Sequence, residues 1–281
     1  MHVLFAGLTT IDVTQRVARV PNPNEKVVAS SASLDVGGPA ANAARTCAAL
    51  GGSARLVTLL GTGALPDLAR SLLGSAGVQV IDVADDDFLA VSTVLIDDDG
   101  GRAIASTNNS KREIRFPDAD VLDGVSVLEV DGHLLELQIP LARTARQMGI
   151  DVVLDGGSWR PGLEALLPHV THAICSADFA VSGGSGDLFL DLAGYRIPVV
   201  AQTHGAEEVE VIVGGTVRAL DVLKANVVDT LGAGDVLHGA FAHYLARGLE
   251  PIPALQSAIR VATSSTEHAG ALCWYGKVDF A

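Results

Sequence analysis

The chain has 281 residues, of which 48% are hydrophobic and 4% aromatic, and its formal net charge is −14. This length allows one large α/β domain or two modest ones around an aliphatic core. No basic run exceeds a pair such as Lys111-Arg112, so the clustered cations of a nucleic-acid-binding protein are missing. No run of about 18 apolar residues occurs and the N-terminus does not resemble a secretory signal, so we expect a cytoplasmic protein without membrane contact.

Short apolar strands alternate with helices along most of the chain. Strands are predicted at Val3–Gly7, Arg55–Leu60, Val125–Val130, Val152–Leu154, His172–Cys175 and Ile197–Ala201. Helices are predicted at Pro39–Leu50, Leu65–Leu73, Leu134–Met148, Val236–Arg247 and Pro253–His268. Apolar strands that alternate with helices form a parallel sheet covered on both faces. The order therefore predicts a single α/β domain over residues 1–281 with a central, mostly parallel sheet.

Two segments depart from this alternation. Residues 12–36 contain alternating β-branched stretches, and residues 89–110 contain a predicted hairpin with strands Val91–Ile96 and Arg102–Ser106. Neither segment has a helix between its strands, so neither belongs naturally to the parallel sheet. We expect them to form a small antiparallel sheet, a β lid over the carboxyl edge of the main sheet, where open α/β folds bind ligands.

The strongest chemical signal is the heptapeptide Asp229-Thr-Leu-Gly-Ala-Gly-Asp235, which precedes a predicted helix. Gly232, Ala233 and Gly234 have little or no side chain, so their amides can approach an anion at the helix N-terminus. A carboxylate there would repel a phosphate, so Asp235 suggests a second role as the acceptor of a proton from an attacking hydroxyl. The alternative is a glycine-rich turn in which Asp235 caps the helix.

This heptapeptide resembles the C-terminal signature of the ribokinase/PfkB family of carbohydrate kinases. The resemblance implies a ribokinase-like three-layer sandwich, ATP and Mg²⁺ as requirements, Asp235 as the catalytic base and an anion hole made by the amides of Gly232–Gly234. In many members the first two residues of the motif, here Asp229 and Thr230, lie beside a nucleotide site and a monovalent-cation site. The resemblance thus also implies a place for K⁺ at Asp229.

The N-terminal elements of the family have counterparts as well. Gly37-Gly38-Pro-Ala-Ala-Asn42 resembles the Gly-Gly-x-x-x-Asn element that contacts sugar hydroxyls, and Asp12 resembles the Asp that binds two of them. A carboxylate suits a vicinal diol because it accepts two hydrogen bonds at once. Taken alone, Asp12 is typical of a turn and Gly37-Gly38 of a helix start. Their order and spacing relative to Asp235 favour a sugar site.

The nucleotide and metal contacts follow the family less closely. Thr203-His-Gly205 resembles a Thr-x-Gly-x-x-Gly turn near ATP, but Glu208 stands at the last glycine position. The family often has Asn-x-x-Glu, which orders water around magnesium, where this chain has Ser176-Ala-Asp178-Phe179. Two alternatives therefore remain: Asp178 contacts Mg²⁺, or the nucleotide phosphates hold the metal.

Four more polar residues are candidates for the cleft. His133 follows a predicted strand, although a surface or capping role fits it equally. Arg160 could meet an anion or remain a solvated loop charge. Asn108 and Lys111 follow the lid hairpin and could reach a substrate.

The sequence thus predicts an ATP-dependent kinase for a sugar hydroxyl, preferably the hydroxymethyl group of a ketose or furanose. Fructose-like, ribose-like and phosphorylated or sulfonated sugars are not separated. A nucleoside kinase is an alternative, although the chain has few aromatic rings to stack on a base. A second alternative is a sugar-binding regulatory protein whose activity is weakened because residues 176–179 depart from the Asn-x-x-Glu pattern of the family. Exposed lid edges need a partner, and family members often pair them, so we expect a homodimer.

Overall fold

A computed structural model describes residues 2–98, 100–107, 113–270 and 272–277. Asn108, Lys111 and the end of the predicted lid segment 89–110 lie outside these residues. The α-helices are α1 Pro39–Ala49, α2 Ala64–Ser75, α3 Leu135–Gln147, α4 Leu188–Ala193, α5 Ala233–Ala246 and α6 Pro251–Ser265. The strands are β1 His2–Ala6, β2 Thr10–Arg16, β3 Ser31–Gly37, β4 Ser53–Thr58, β5 Val78–Asp82, β6 Ala90–Ile96, β7 Arg102–Ser106, β8 Val125–Val130, β9 Asp151–Gly156, β10 His172–Ser176, β11 Val199–Thr203, β12 Val209–Val213 and β13 Thr216–Leu220.

The main sheet has nine strands in the order β13-β12-β11-β10-β9-β8-β1-β4-β5. The strands from β11 to β5 are parallel, while β12 and β13 add an antiparallel hairpin at one edge. The predicted mostly parallel sheet is therefore confirmed, and β5, α4 and the edge hairpin are additions that the sequence did not indicate. Because the parallel strands all end at the same edge, the loops after them converge there.

Apolar side chains of the central strands alternate between two cores. Phe5 and Leu56 pack on the side of α1, α2, α5 and α6. Leu4 and Leu128 pack on the other side, against α3 and α4. The main sheet is thus the middle layer of three, as the resemblance implied. No helix within the described part of the chain is long and apolar enough to cross a membrane.

The second sheet is the β lid, with the strand order β3-β2-β6-β7. Its two hairpins, β2–β3 and β6–β7, are antiparallel as expected, but β2 and β6 are joined in parallel, with Asp12 opposite Ser92. The prediction of a wholly antiparallel lid is therefore wrong. The reason is topological: β2 follows β1 and β6 follows β5, and these two main-sheet strands run in the same direction. The segments after β1 and β5 therefore leave the same edge of the main sheet and enter the lid side by side.

Candidate active site

A cavity of about 860 Å³ lies between the lid and the carboxyl edge of the main sheet. Its wall includes Asp12, Gly38 and Asn42 from the N-terminal part of the chain and the whole turn 229–235 from the C-terminal part. The fold therefore brings the two halves of the predicted site together. Gly37 lies directly beneath the carboxylate of Asp12.

Two glycines allow close approaches in the cleft wall, one beneath the carboxylate of Asp12 and one against the backbone of Leu8. A Cβ at Gly37 would lie 1.9 Å from Oδ2 of Asp12, so any side chain there would displace the carboxylate. Gly38 has φ +97°, and a Cβ on it would lie 2.3 Å from the carbonyl oxygen of Leu8. The hydroxyl of Thr10 donates to Oδ1 of Asp12 over 2.6 Å. Burial raises the pKa of Asp12, and the hydrogen bond from Thr10 opposes that rise.

Asn42 and Asp235 meet across the two helices that form the floor of the cleft. The Nδ2 of Asn42, in the first turn of α1, donates to Oδ2 of Asp235, in the first turn of α5, over 2.8 Å. The helices approach closely because residue 239 is glycine: a Cβ on Gly239 would lie 2.2 Å from the carbonyl oxygen of Ala43. This close approach sets the position of Asn42 relative to Asp235.

The turn before α5 has the geometry of an anion site. Gly232 precedes the helix with φ +74°, in the left-handed region that glycine tolerates. The N-cap residue Gly232 has no side chain with which to cap the helix, and the amide of Ala233 donates to the carbonyl oxygen of Thr230 over 3.3 Å. A Cβ on Gly234 would meet nothing within 4 Å, which shows that the backbone borders open space. Free amides at a helix N-terminus favour a bound anion.

Asp235 has the properties of a proton acceptor. Burial raises its pKa to about 7, and the nearby carboxylate of Asp155 adds to the rise, while the hydrogen bond from Asn42 and the ring of His238 oppose it. A carboxylate with a pKa near 7 is about half ionised at pH 7 and basic enough to take a proton in a transition state.

Three more buried carboxyl groups lie beneath Asp235. Asp131 is held by backbone amides and by the side-chain amide of a glutamine in α3. Asp155 lies with Oδ2 3.4 Å from Nδ1 of His238. Neither oxygen of Glu129 has a hydrogen-bond partner among the described residues, and burial raises the pKa of Glu129 well above its usual value. Sequence reasoning missed this cluster. The signal was a carboxylate at or just after the end of an apolar strand.

His133 lines the cleft, and its Nε2 lies 2.8 Å from Nη2 of Arg160. Burial lowers the pKa of His133. The charge of Asp131 opposes this effect, and the charge of Arg160 adds to it. A neutral imidazole nitrogen accepts a hydrogen bond from the guanidinium. The structure thus brings together two candidates that the sequence treated separately.

A second cavity of about 540 Å³ adjoins the first and shares Thr230, Ala233 and Gly234 with it. Thr203 and Gly205, at the end of β11, line this cavity. Aliphatic side chains form much of the remaining wall: Val222, Leu223, Val227, Leu237 and Ile259. The apolar wall suits a flat ring, and the shared turn suits a phosphate chain that passes from this cavity into the cleft.

Asp229 is joined to three separate segments. Its Oδ1 accepts hydrogen bonds from Nη2 of Arg102 over 2.5 Å and from the amide of Leu231 over 2.9 Å. Its Oδ2 accepts from the amide of Gly270 over 2.9 Å. The side chain is only 7% exposed. A strand of the lid, the anion turn and the loop after α6 therefore meet at one carboxylate, which the sequence linked to K⁺.

Within the described ranges, no group of three or more His, Cys, Asp or Glu side chains is placed to hold a metal ion. Asp178, the residue that the sequence offered for Mg²⁺, is exposed in the turn after β10 and is not among the residues that line either cavity. The protein residues described here therefore do not fit a dedicated Mg²⁺ site of their own.

Comparisons with known proteins agree with this geometry. The model of the pfkB family carbohydrate kinases matches residues 2–273. An ATP-dependent ribose-1-phosphate kinase from Halopiger xanaduensis is 31% identical over 255 residues, which cover 86% of this chain and 83% of that protein. A candidate ribokinase from Agrobacterium tumefaciens has a similar structure, with a TM-score of 0.84, 26% identity and coverage of 96% of this chain and 92% of its own. Arabidopsis thaliana ribokinase, solved with ribose and ATP, shares the fold, with a TM-score of 0.78, 20% identity and coverage of 96% and 93%.

Proposed function

The chain belongs to the pfkB family of carbohydrate kinases, and we propose that it transfers the γ-phosphate of ATP to the hydroxymethyl group of a ketose or furanose. The observation that carries this proposal is the meeting of Asp12, Asn42 and Asp235 in one cleft. Beside that cleft, a second cavity opens onto the same turn, 230–234. One cavity thus suits a sugar and the other a nucleotide, with the proton acceptor between them.

In the proposed complex the sugar lies beneath the lid. Asp12 accepts hydrogen bonds from two neighbouring hydroxyls, and the backbone at Gly38 and the side-chain amide of Asn42 contact others. The Oδ1 of Asn42 is buried and has no hydrogen-bond partner among the described residues. A buried amide oxygen without a donor is costly, so a sugar hydroxyl that donates to it would lower the free energy of the complex.

ATP occupies the second cavity with its base against the aliphatic wall and its phosphates directed to the turn. Thr203, Gly205 and Thr230 border the nucleotide, and Asp229 lies beside Thr230 in the wall of the first cavity. Mg²⁺ bound to the nucleotide would screen the charge of the phosphates. This arrangement needs no protein ligand for the metal, which agrees with the position of Asp178 away from both cavities.

Asp235 takes the proton of the attacking hydroxymethyl group while the new bond forms. The hydroxyl oxygen attacks the γ-phosphorus in line, the bond between that phosphorus and its bridging oxygen breaks, and ADP leaves with the electron pair. The amides of Gly232, Ala233 and Gly234 offset the charge that develops on the transferred group. The lid excludes water, which would otherwise compete as acceptor and hydrolyse ATP.

A furanose that already carries a phosphate is the acceptor that we favour within this class. A relative at 31% identity is named an ATP-dependent ribose-1-phosphate kinase. The cleft wall also contains Arg16, and His133 on the same wall contacts Arg160, so two guanidinium groups border an otherwise acidic cavity. An anionic acceptor would be attracted by these groups, whereas a neutral sugar would not.

We also propose a cytoplasmic homodimer, because ATP is supplied in the cytoplasm and the lid has two edge strands. Leu34 on β3 and Ile104 on β7 are 55% and 58% exposed, and both border the open cleft. Edge strands with exposed apolar side chains favour association with another sheet. Light scattering should give twice the chain mass of 28.9 kDa. A monomer at micromolar concentration would contradict this part of the proposal.

The test of the function is ADP formation from Mg-ATP with a panel of acceptors. The panel contains ribose, ribose 1-phosphate, fructose and nucleosides, each offered to the wild type, to Asp235→Asn and to Asp67→Asn. Asp67 is a matched control because it is also an aspartate in the first turn of a helix and it lines neither cavity. We expect ADP with a furanose or ketose, a loss of about 10²–10⁴-fold in Asp235→Asn, and no loss in Asp67→Asn. Activity of the Asp235→Asn variant equal to that of the wild type would rule out Asp235 as the proton acceptor.

The same panel distinguishes the alternative functions. ADP formation with nucleosides alone would indicate a nucleoside kinase, and no ADP with any acceptor would favour a sugar-binding protein.

A further inference from the structure

The contact between Arg102 and Asp229 joins the lid to the anion turn. Arg102 is the first residue of β7, and in the lid register it lies opposite Ile96 of β6. Asp12 lies opposite Ser92 of β6, and Ile96 is four residues further along that strand, so Ile96 and Asp12 lie on the same face of the lid. Both residues line the cleft. Arg102 therefore lies on the cleft side, and its Nη2 reaches Oδ1 of Asp229 over 2.5 Å.

Asp229 is a buried carboxylate whose partners among the described residues include one cation, Arg102. Its side chain is 7% exposed, and its other donors are the neutral amides of Leu231 and Gly270. Further carboxylates border the same cavity, among them Asp12, Asp35 and Asp235. A carboxylate that is taken out of water is costly unless a positive charge accompanies it. Arg102 provides that charge directly, whereas a metal cation would have to compete with its guanidinium for the same oxygen.

Asp229 also determines the shape of the turn. Its Oδ1 accepts from the amide of Leu231, two residues further on, which fixes the start of the turn that contains Gly232. Its Oδ2 holds the loop after α6 at Gly270. A carboxylate that turned away would release both amides, and the phosphate-binding amides 232–234 would lose their fixed starting point.

We propose that Arg102 is a positioning residue that acts as a built-in cation for the phosphate-binding turn. Its guanidinium neutralises Asp229 and keeps the turn in its anion-binding shape while the lid covers the cleft. The proposal rests on the phosphoryl transfer proposed above and adds two consequences. The enzyme does not require K⁺, because the place of a monovalent cation at Asp229 is taken by a side chain. Nucleotide binding is also linked to the lid, because the charge is supplied from β7.

The first experiment measures binding of Mg²⁺ with a non-hydrolysable ATP analogue by calorimetry, which does not depend on knowing the acceptor. It compares the wild type, Arg102→Ala and Arg102→Lys in a choline chloride buffer, with and without KCl or guanidinium chloride at low millimolar concentration. Arg19→Ala is the matched control, because Arg19 is also a lid arginine but pairs with Glu25 of the same lid segment.

We expect wild-type affinity to change less than about twofold between choline and K⁺, and Arg102→Ala to bind at least about tenfold more weakly in choline. Guanidinium or K⁺ should restore a measurable part of the affinity in Arg102→Ala alone, and Arg102→Lys should be intermediate. A variant that is merely misfolded would not be restored by a small cation. Unchanged affinity in Arg102→Ala, no restoration by either cation, or a wild type that needs K⁺ would overturn the proposal.

The second experiment repeats the comparison with kinetics, once the panel has identified an acceptor. We expect the KM for ATP to rise in Arg102→Ala and K⁺ to lower it again, with no effect of K⁺ on the wild type or on Arg19→Ala. K⁺ activation of the wild type would overturn the proposal even though the kinase assignment would stand. Failure of the kinase assignment would instead appear as the absence of ADP from the wild type with every acceptor.

Discussion

The side-chain amide of Asn42 donates a 2.8 Å hydrogen bond to Oδ2 of Asp235, a residue 193 positions further along the chain. The contact joins the proposed sugar-binding element to the motif that we propose for catalysis. It fixes one oxygen of the carboxylate, so that the other is left for a substrate hydroxyl. It also stabilises the ionised form of Asp235, because an amide donor favours the charged carboxylate.

We therefore expect Asn42→Ala to reduce kcat by about 10–100-fold, since a hydrogen bond to a charged group contributes about 1.5–3 kcal/mol. The loss of the donor should also raise the pKa of Asp235, so the pH profile of kcat/KM should move to higher pH. Steady-state kinetics between pH 5.5 and 9 would measure both effects. Asn22→Ala, in an exposed loop of the lid, is the control and should behave like the wild type. A reduced kcat with an unmoved profile would show that Asn42 positions the sugar without affecting the base.

The pH dependence of the wild type should follow the ionisation of Asp235. If Asp235 is the proton acceptor, as we propose, kcat/KM should rise with pH through an apparent pKa of about 7, because burial and the charge of Asp155 raise the pKa of its carboxyl group. Asp155→Asn removes that neighbouring charge and should move the profile to lower pH. A profile that is flat from pH 5 to 8 would show that Asp235 is not the proton acceptor.

The same pKa shift has a consequence for stability. The folded protein holds the proton of Asp235 up to pH 7, whereas an unfolded aspartate loses it near pH 3.9. Between these values the folded state binds more protons, so this group lowers the stability progressively as pH rises, and the full penalty is present above pH 7. Asp235→Asn should therefore melt at a higher temperature than the wild type at pH 8, with a smaller difference at pH 5. Calorimetric melting of both proteins at the two pH values measures this, and an equal or lower Tm of the variant at pH 8 would contradict it.

Two glycines of α5 should respond in opposite ways to the same substitution. Gly239→Ala places a Cβ 2.2 Å from the carbonyl oxygen of Ala43, so it should separate α1 from α5 and cost about 1–3 kcal/mol of stability. Gly234→Ala places its Cβ in open space, so it should retain stability or gain up to about 1 kcal/mol from the higher helix propensity. That Cβ would, however, occupy part of the phosphate site, and the KM for ATP should rise. Thermal melts and ATP titrations of both variants separate these effects, and a stable Gly239→Ala would show that the helices can move apart.

The sequence alone determined the parts of the site that are encoded locally. The turn 229–235 and the helix after it could be recognised because the small residues, the carboxylate and the helix start are contiguous. The glycines before α1 and the alternation of strands and helices were visible for the same reason. Gly37 was recognised by its motif, but the reason that it must be glycine, the carboxylate of Asp12 against its Cα, appears only in the structure.

The tertiary structure decided which distant residues meet. The sequence could not place Asp155 beneath Asp235, or Arg102 on Asp229, because each pair is far apart in the chain and its contact depends on the order of the strands and the path of the lid. The parallel junction of β2 and β6 was missed for the same reason, since strand direction is set by the main-sheet strands from which they emerge. Local spacing specifies turns, helix starts and the residues on them. Buried charges pair only after folding has removed them from water. That environment determines the pKa of Asp235 and the pairing of Arg102 with Asp229.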